Sequence, residues 1–269
     1  MRDRRFGCPR AINRGGGVAA ALWMFLFAFH ASPRVAQAQM YTFNGNDIGW
    51  NRYDPLSQFN AAATFSFPAG GGYEIHAAGS PNVSQLGPGR AGSVYPVTYT
   101  SQFQVSIDIP AFASFDQAFG LLTRITNPGL GTTDGYALTY TTSDNALNLS
   151  KITNEAPSGL GASSTATLLT NTSTAFHLVF TANGSNLSGQ IFSLSDLTTP
   201  LATVSATDST YSSGYTGLVV YDNGTGANGA DATFQNFDAF STAVPEPGAA
   251  CIFLAMLACR RRGRLQVVC

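Results

Sequence analysis

The part of the chain richest in oxygen ligands is a loop rich in Gly, Asn and Asp. Asp222, Asn223, Asn228 and Asp231 lie within ten residues of one another, with three glycines between them. Calcium takes about six to eight ligands of this kind: carboxylate, amide and carbonyl oxygens. The twelve-residue spacing and closing Glu of an EF-hand are missing. The loop therefore predicts either a calcium site or an ordinary solvated hairpin, and calcium is the one cofactor that the sequence suggests.

A second chemistry to consider is sugar binding, which uses an exposed aromatic ring beside polar groups. Trp50 and Tyr53 are the first candidates, and Trp50 is the only tryptophan between residues 39 and 247. Tyr95, Tyr99 and Tyr215 are further candidates. The alternative for all five is packing in the core, where large aromatic side chains are usually found.

Catalytic motifs are scarce. A retaining glycosidase needs two carboxyl groups about 5 Å apart. Glu74 and Glu155 are the only glutamates between residues 39 and 244, and Glu74 has no carboxylate two or four residues away. The sequence contains no Gly-x-Ser-x-Gly motif of a serine hydrolase that could pair with a histidine base. His76 and His177 also lack the spacing of a zinc site. We therefore predict surface positions for both histidines. The sequence thus favours a protein that is not an enzyme, with a glycoside hydrolase as the alternative.

Cysteine and charge exclude further classes. Residues 39–247 contain no cysteine, which excludes a disulfide, a thiol nucleophile and a thiolate metal site there. The same residues carry four basic and 14 acidic side chains, a formal charge of −10. Because such a domain repels phosphate backbones, we expect no nucleic-acid partner.

The elements that must position these residues are strands. Residues 102–109 alternate apolar and polar side chains, and residues 136–140 and 176–180 do the same. Residues 217–221 form a continuous apolar run, which predicts a central buried strand, and residues 232–237 predict a closing strand. Clusters of Gly, Asn, Asp, Ser and Thr separate these segments. The pattern predicts an all-β fold: one two-sheet antiparallel β-sandwich, or jelly roll, over residues 39–240.

Several short motifs resemble one known family. They are GLLTR at residues 120–124, DGYAL at 134–138, NGSNL at 183–187, GLVVY at 217–221 and ATFQNF at 232–237. In this order they resemble the concanavalin-A-like, laminin-G-type jelly rolls, over about residues 41–240. The resemblance implies a β-sandwich that binds carbohydrate, with an extracellular polysaccharide as partner, and some proteins of this broad fold are endoglucanases.

The N-terminus has the pattern of a secretory signal peptide over residues 1–38. Arginines precede an apolar run at residues 18–29, and Ala36 and Ala38 fit the small-x-small rule for cleavage. We therefore predict cleavage after Ala38 by signal peptidase. The alternative is a signal anchor that is retained.

In residues 241–269, a Pro-Glu-Pro motif precedes an apolar segment at residues 248–259, and a basic cluster follows it. In this order the features resemble the PEP-CTERM sorting tail of bacterial exported proteins. The resemblance implies a short apolar sorting helix, transient anchoring in the inner membrane and processing by an exosortase-type protease, with Glu246 as the recognition residue. The residues that carry this motif are Pro245, Glu246, Pro247, Arg260, Arg261, Arg262 and Arg264.

Together these features predict an exported cell-envelope or extracellular-matrix protein with a noncatalytic, carbohydrate-binding β-sandwich. The alternatives are an enzyme of the same fold that acts on polysaccharides, and a purely structural or adhesive protein without a small ligand.

Overall fold

Alternation of apolar and polar side chains stacks the strands into two layers. The computed structural model of the protein describes residues 38–113, 116–164, 175–224 and 229–241. These residues form fifteen strands in two sheets, and every strand pairing is antiparallel. The predicted all-β sandwich is therefore confirmed.

Sheet A contains eight strands. Seven lie side by side, and the short strand β1 (Ala38–Tyr41) pairs with one of them, β15. From one edge to the other, the seven are β13 (Ala202–Thr207), β12 (Asn186–Ser193), β11 (Phe176–Asn183), β6 (Gln102–Phe112), β15 (Ala230–Ser241), β4 (Tyr73–Ala77) and β3 (Thr64–Ser66).

Sheet B contains seven strands, with the predicted buried strand at residues 217–221 inside its long central strand β14. In order they are β10 (Ala156–Ser164), β9 (Ala146–Thr153), β8 (Asp134–Thr141), β7 (Gln117–Thr126), β14 (Gly214–Asp222), β5 (Arg90–Tyr99) and β2 (Asn51–Tyr53).

The core lies between the inner faces of the two sheets. On β6 the predicted inward positions are all fully buried: Phe103, Val105, Ile107 and Ile109. Burial of each such side chain stabilises the fold by about 1.5–3 kcal/mol. The polar residues of β6 were predicted to face solvent, but Asp108 on the outer face is only 9% exposed.

Helical structure is limited to two short elements in the described residues. They are a 3-10 turn at Ser57–Phe59 and an α-helical turn at Val83–Leu86, which Asn82 caps by accepting a hydrogen bond from the Gln85 N–H. Among the described residues, no helix has the length and apolar composition that crossing a bilayer requires. The predicted C-terminal sorting helix lies outside the described residues.

Candidate functional site

The outer face of sheet B carries an apolar cluster away from the main core. Its buried members come from four neighbouring strands, and the half-buried ring of Tyr215 packs against them. Tyr215 thus has one side on an apolar floor and part of its surface open to solvent. The buried members are Val94, Leu122, Ile125, Ala137 and Val219.

Two neighbouring β-bulges shape the surface around Tyr215. The pairing of β7 with β8 shifts between Thr123 and Thr126, and the pairings of β14 shift beside Gly214. Arg124 lies in the bulge of β7 with a positive φ of 50°, so its side chain turns inward while Ile125 joins the outer cluster. Gly214 has no room for a side chain, since a Cβ there would lie 2.4 Å from the Arg124 carbonyl carbon.

The bulges border a groove of about 480 Å³, which we call the Tyr215 groove. An aromatic ring, a side-chain amide and several hydroxyl groups face the same space. This combination suits a polyhydroxylated ligand, because the ring offers an apolar face and the amide and hydroxyls offer donors and acceptors. The lining residues are Thr98, Ile125, Thr126, Asn127, Pro128, Ser213, Gly214 and Tyr215.

One wall of the groove is fixed from below by Arg124. Its guanidinium is buried and donates hydrogen bonds to three backbone carbonyls: Tyr211 at 2.8 Å, Gly184 at 2.8 Å and Ser101 at 3.1 Å. Burial lowers the pKa of Arg124. These carbonyls belong to three separate loops, and the loop of Tyr211 leads directly into Ser213 of the groove.

A second set of hydrogen bonds holds the same loop. Tyr136 donates to the Asp208 carboxylate at 2.7 Å and accepts from the Tyr211 N–H at 3.1 Å. Lys151 donates to the other Asp208 oxygen at 3.1 Å. Partial burial acts to raise the pKa of Asp208, but the hydrogen bonds from Tyr136, Thr210 and Lys151 outweigh it and hold that pKa well below its usual range.

The opposite wall is the loop between β7 and β8, and Glu155 holds it. The Glu155 carboxylate accepts from the Gly131 N–H at 2.7 Å, from Arg90 Nε at 2.7 Å and from the Tyr53 hydroxyl. Tyr53 belongs to the edge strand β2, whereas Glu155 follows β9 near the other edge. Their contact shows that groups from opposite edges of sheet B meet across its outer face, beside the β7–β8 loop. In the sequence, Glu155 stands out only as one of two glutamates between residues 39 and 244, with no sign of this buried cluster.

The two first candidates for sugar binding, Trp50 and Tyr53, lie outside this groove. Trp50 and Tyr53 are each only 7% exposed. Trp50 packs against Phe237 and Tyr95, with ring centroids 4.8 and 5.3 Å away. The Tyr53 hydroxyl is engaged by Glu155, and burial together with the Glu155 charge raises the Tyr53 pKa. Neither ring offers an open face to a ligand, in contrast to Tyr215.

The predicted calcium ligands are engaged by the protein itself. The Asp222 carboxylate accepts from the Gly224 N–H at 2.8 Å and from the Gly229 N–H at 3.2 Å. Asp231 accepts from the Ala113 N–H at 2.6 Å, and burial raises its pKa. Asn223 donates to Ser143 at 3.0 Å. Asn228 lies outside the described residues, in which no group of three or more His, Cys, Asp or Glu side chains is placed to hold a metal. Calcium binding by this loop stays a prediction.

His76 and His177, the two histidines among the described residues, lie on the outer face of sheet A, each beside a carboxylate. His177 Nδ1 is 2.5 Å from the Asp108 carboxylate, which also accepts from Asn236 at 2.8 Å. His76 Nδ1 is 4.0 Å from Asp231. His177 lies on the outward side of its strand, as predicted, and the pairing of β11 with β6 brings Asp108 beside it.

The predicted signal-cleavage and sorting residues lie outside the described residues, except that the backbone of Ala38 begins β1. This applies to Ala36, Pro245, Glu246, Pro247, Arg260, Arg261, Arg262 and Arg264.

Comparison with known proteins places the fold. No protein-family profile matches the chain, and no curated protein matches its sequence. Solved structures do match. A carbohydrate-binding module from Bacillus subtilis is 18% identical, with 72% of this chain and 96% of that chain covered and a TM-score of 0.50. A Bacillus licheniformis β-glucanase is 14% identical, with 76% and 98% covered and a TM-score of 0.51.

A winged bean acidic lectin, solved with methyl-α-D-galactose, gives a TM-score of 0.53 at 10% identity, with 77% of this chain and 98% of that chain covered. At identities this low, these matches establish a shared fold and nothing further. The sandwich that carries the Tyr215 groove is therefore a lectin-like jelly roll.

Proposed function

We propose that this jelly roll is a noncatalytic glycan-binding module and that its ligand occupies the Tyr215 groove. The observation that carries the proposal is the half-open ring of Tyr215 between Asn127 on one wall and Ser213 on the other. The carbohydrate-binding module and the lectin of similar fold support it as analogy.

The rigidity of both walls supports binding. Arg124 and the Tyr136–Asp208 pair hold one wall, and Glu155 holds the other. Binding costs less free energy when the groups that contact a ligand are ordered before it arrives. A groove held in this way is suited to a weakly binding, extended ligand such as a polysaccharide.

The chemistry of the lining favours binding over hydrolysis. None of the described residues that line the groove carries a carboxylate. Glycoside hydrolysis by the usual route needs two carboxyl groups on either side of the scissile bond. A polysaccharide-acting enzyme of this fold is the alternative, and release of reducing ends from a bound glycan would favour it.

A glycan array with the full chain tests the proposal, and Tyr215→Ala is the decisive variant. We expect its affinity for the best glycan to fall ~10-fold or more, the cost of removing a central aromatic contact. Phe59→Ala is the matched control, because Phe59 is 36% exposed and lies outside the groove. Equal loss in both variants, or no loss in Tyr215→Ala, would exclude the groove. A parallel array with a chelator tests the predicted calcium dependence.

We further propose that the protein is exported and sorted to the cell envelope or extracellular matrix. The support is the sequence of the two ends, with signal peptidase and an exosortase-type protease as partners. A protease needs an extended segment, and Pro245 and Pro247 disfavour helix at this point. Glu246→Ala should leave the tail uncut, as shown by the mass of the cell-associated protein. Normal processing of this variant would refute the role of Glu246.

A further inference from the structure

All four basic side chains between residues 38 and 241 are occupied within the protein. Arg52 donates to both oxygens of Asp47, at 2.7 and 3.3 Å, and Arg90 and Lys151 pair with Glu155 and Asp208. Arg124 is buried among backbone carbonyls. The same stretch contains 13 acidic residues, and its segments outside the described residues contain no charged residue.

The surroundings of the Tyr215 groove likewise offer no unpaired basic side chain among the described residues. No residue that lines it is charged. Thr126 of the lining lies on β7, and its partner on the adjacent strand β8 is Asp134. Lys151, on the next strand, donates to Asp208, and its side chain is only 28% exposed. Among the described residues, a ligand in the groove therefore has Asp134 beside the lining and meets no unpaired Lys or Arg side chain.

We propose that the ligand is a neutral glycan and that polysaccharides with carboxylate or sulfate groups are excluded. This inference rests on the proposed function and names the substrate class of the same site. An anionic group that enters the groove loses water without gaining a cationic partner, which is unfavourable. The acidic surface adds repulsion over a distance of ~8 Å at physiological salt.

The test compares each neutral glycan with an acidic derivative of the same backbone. Suitable pairs are dextran with carboxymethyl-dextran, and methyl-esterified with de-esterified homogalacturonan, measured on the full chain. A chelator is present so that no bound cation supplies the missing positive charge. We expect the acidic member of a pair to bind ~10-fold or more weakly, and the difference to shrink as salt rises because repulsion is screened.

Two lysine variants separate the local effect from net charge. Thr98→Lys adds an exposed cation to the lining, and Thr203→Lys adds the same charge to an exposed position on the far sheet. We expect the ratio of acidic to neutral affinity to rise in the first variant and to stay unchanged in the second. An equal rise in both would show that overall charge excludes the acidic glycans, which would contradict the groove-based argument.

The outcomes distinguish this inference from the function on which it rests. Preference for the neutral member of each pair supports the inference. Equal or tighter binding of the acidic member overturns it and leaves glycan binding standing. Absence of binding to every glycan, both with calcium and with the chelator, overturns the proposed function, and the inference falls with it.

Discussion

Replacement of Arg124 by Met tests how the groove end of the sandwich is held together. The side chain is 1% exposed and donates three hydrogen bonds to the carbonyls of three loops, with no carboxylate among its hydrogen-bond partners. Met fills similar space without any donor. The variant therefore isolates the guanidinium from its packing over Phe103, whose ring centroid lies 5.6 Å away.

The expected cost follows from these contacts. A hydrogen bond from a charged donor contributes about 1.5–3 kcal/mol, and three of them are lost. Part of that free energy is regained, because the variant no longer bears the cost of burying a charged group. Loosening of the loops also lets water hydrogen-bond to some of the carbonyls. We expect Arg124→Met to lower the free energy of unfolding by about 4 kcal/mol, a large share of the ~5–15 kcal/mol of a typical domain. Arg124→Lys keeps the positive charge but loses the planar guanidinium that reaches three carbonyls at once. We therefore expect about half that loss in free energy of unfolding.

Urea unfolding, followed by the fluorescence of the buried Trp50, measures the effect. A loss of 4 kcal/mol moves the midpoint by about 2 M if the m value stays near 2 kcal/mol/M. Arg52→Met is the control, since Arg52 is about half exposed in a surface ion pair and should cost less than about 1 kcal/mol. If Arg124→Met also costs less than 1 kcal/mol, the three hydrogen bonds do not stabilise the fold and the reasoning fails.

Three further changes have defined outcomes. Glu155→Gln should lower the free energy of unfolding by about 3 kcal/mol. Adding Arg90→Met to the same chain should lower it little further, because the two side chains form one ion pair. Strictly additive costs in this double-mutant cycle would contradict the coupling of Glu155 with Arg90. Burial raises the pKa of Tyr140 to about 12, so the stability it provides is complete below pH ~10 and lost as pH rises toward 12. Ultraviolet titration should show this late ionisation, and Tyr140→Phe should flatten the alkaline loss. The lowered pKa of Asp208 acts in the opposite direction: its stability is complete above pH ~4 and lost on acidification. Asp208→Asn should therefore flatten acid unfolding followed by circular dichroism, and an unchanged acid profile would refute the assignment.

The fold was predictable where alternation is strong. Residues 102–109 showed both the strand and its buried face, and residues 217–221 showed a central strand. Among the strands that were not predicted are β5 and β10. β5 contains Gly92 and Pro96, which disfavour strand, and β10 consists mostly of small residues, so neither shows clear alternation. Their places are set by pairing with β14 and with β9, which the local sequence does not reveal.

The candidate site was less predictable than the fold. Tyr215 was among the candidate aromatics, but nothing in the sequence distinguished its half-open ring from the buried Trp50. Glu155 and Arg90 are 65 residues apart and Asp108 and His177 are 69 apart, so these pairs exist only through the topology. Arg124 entered the sequence analysis only as the last residue of the GLLTR motif. Its inward turn depends on a bulge, for which the sequence carries no local signal.

The scarcity of basic residues, and their position within strands, have a consequence for resistance to proteases. A protease that cuts after Arg or Lys finds only four sites between residues 38 and 241. Each lies within a strand: Arg52 in β2, Arg90 in β5, Arg124 in β7 and Lys151 in β9. Because such a protease needs an extended, detached segment, cleavage must wait for these strands to open, and its rate should follow unfolding. We expect trypsin-like enzymes to leave the native sandwich intact.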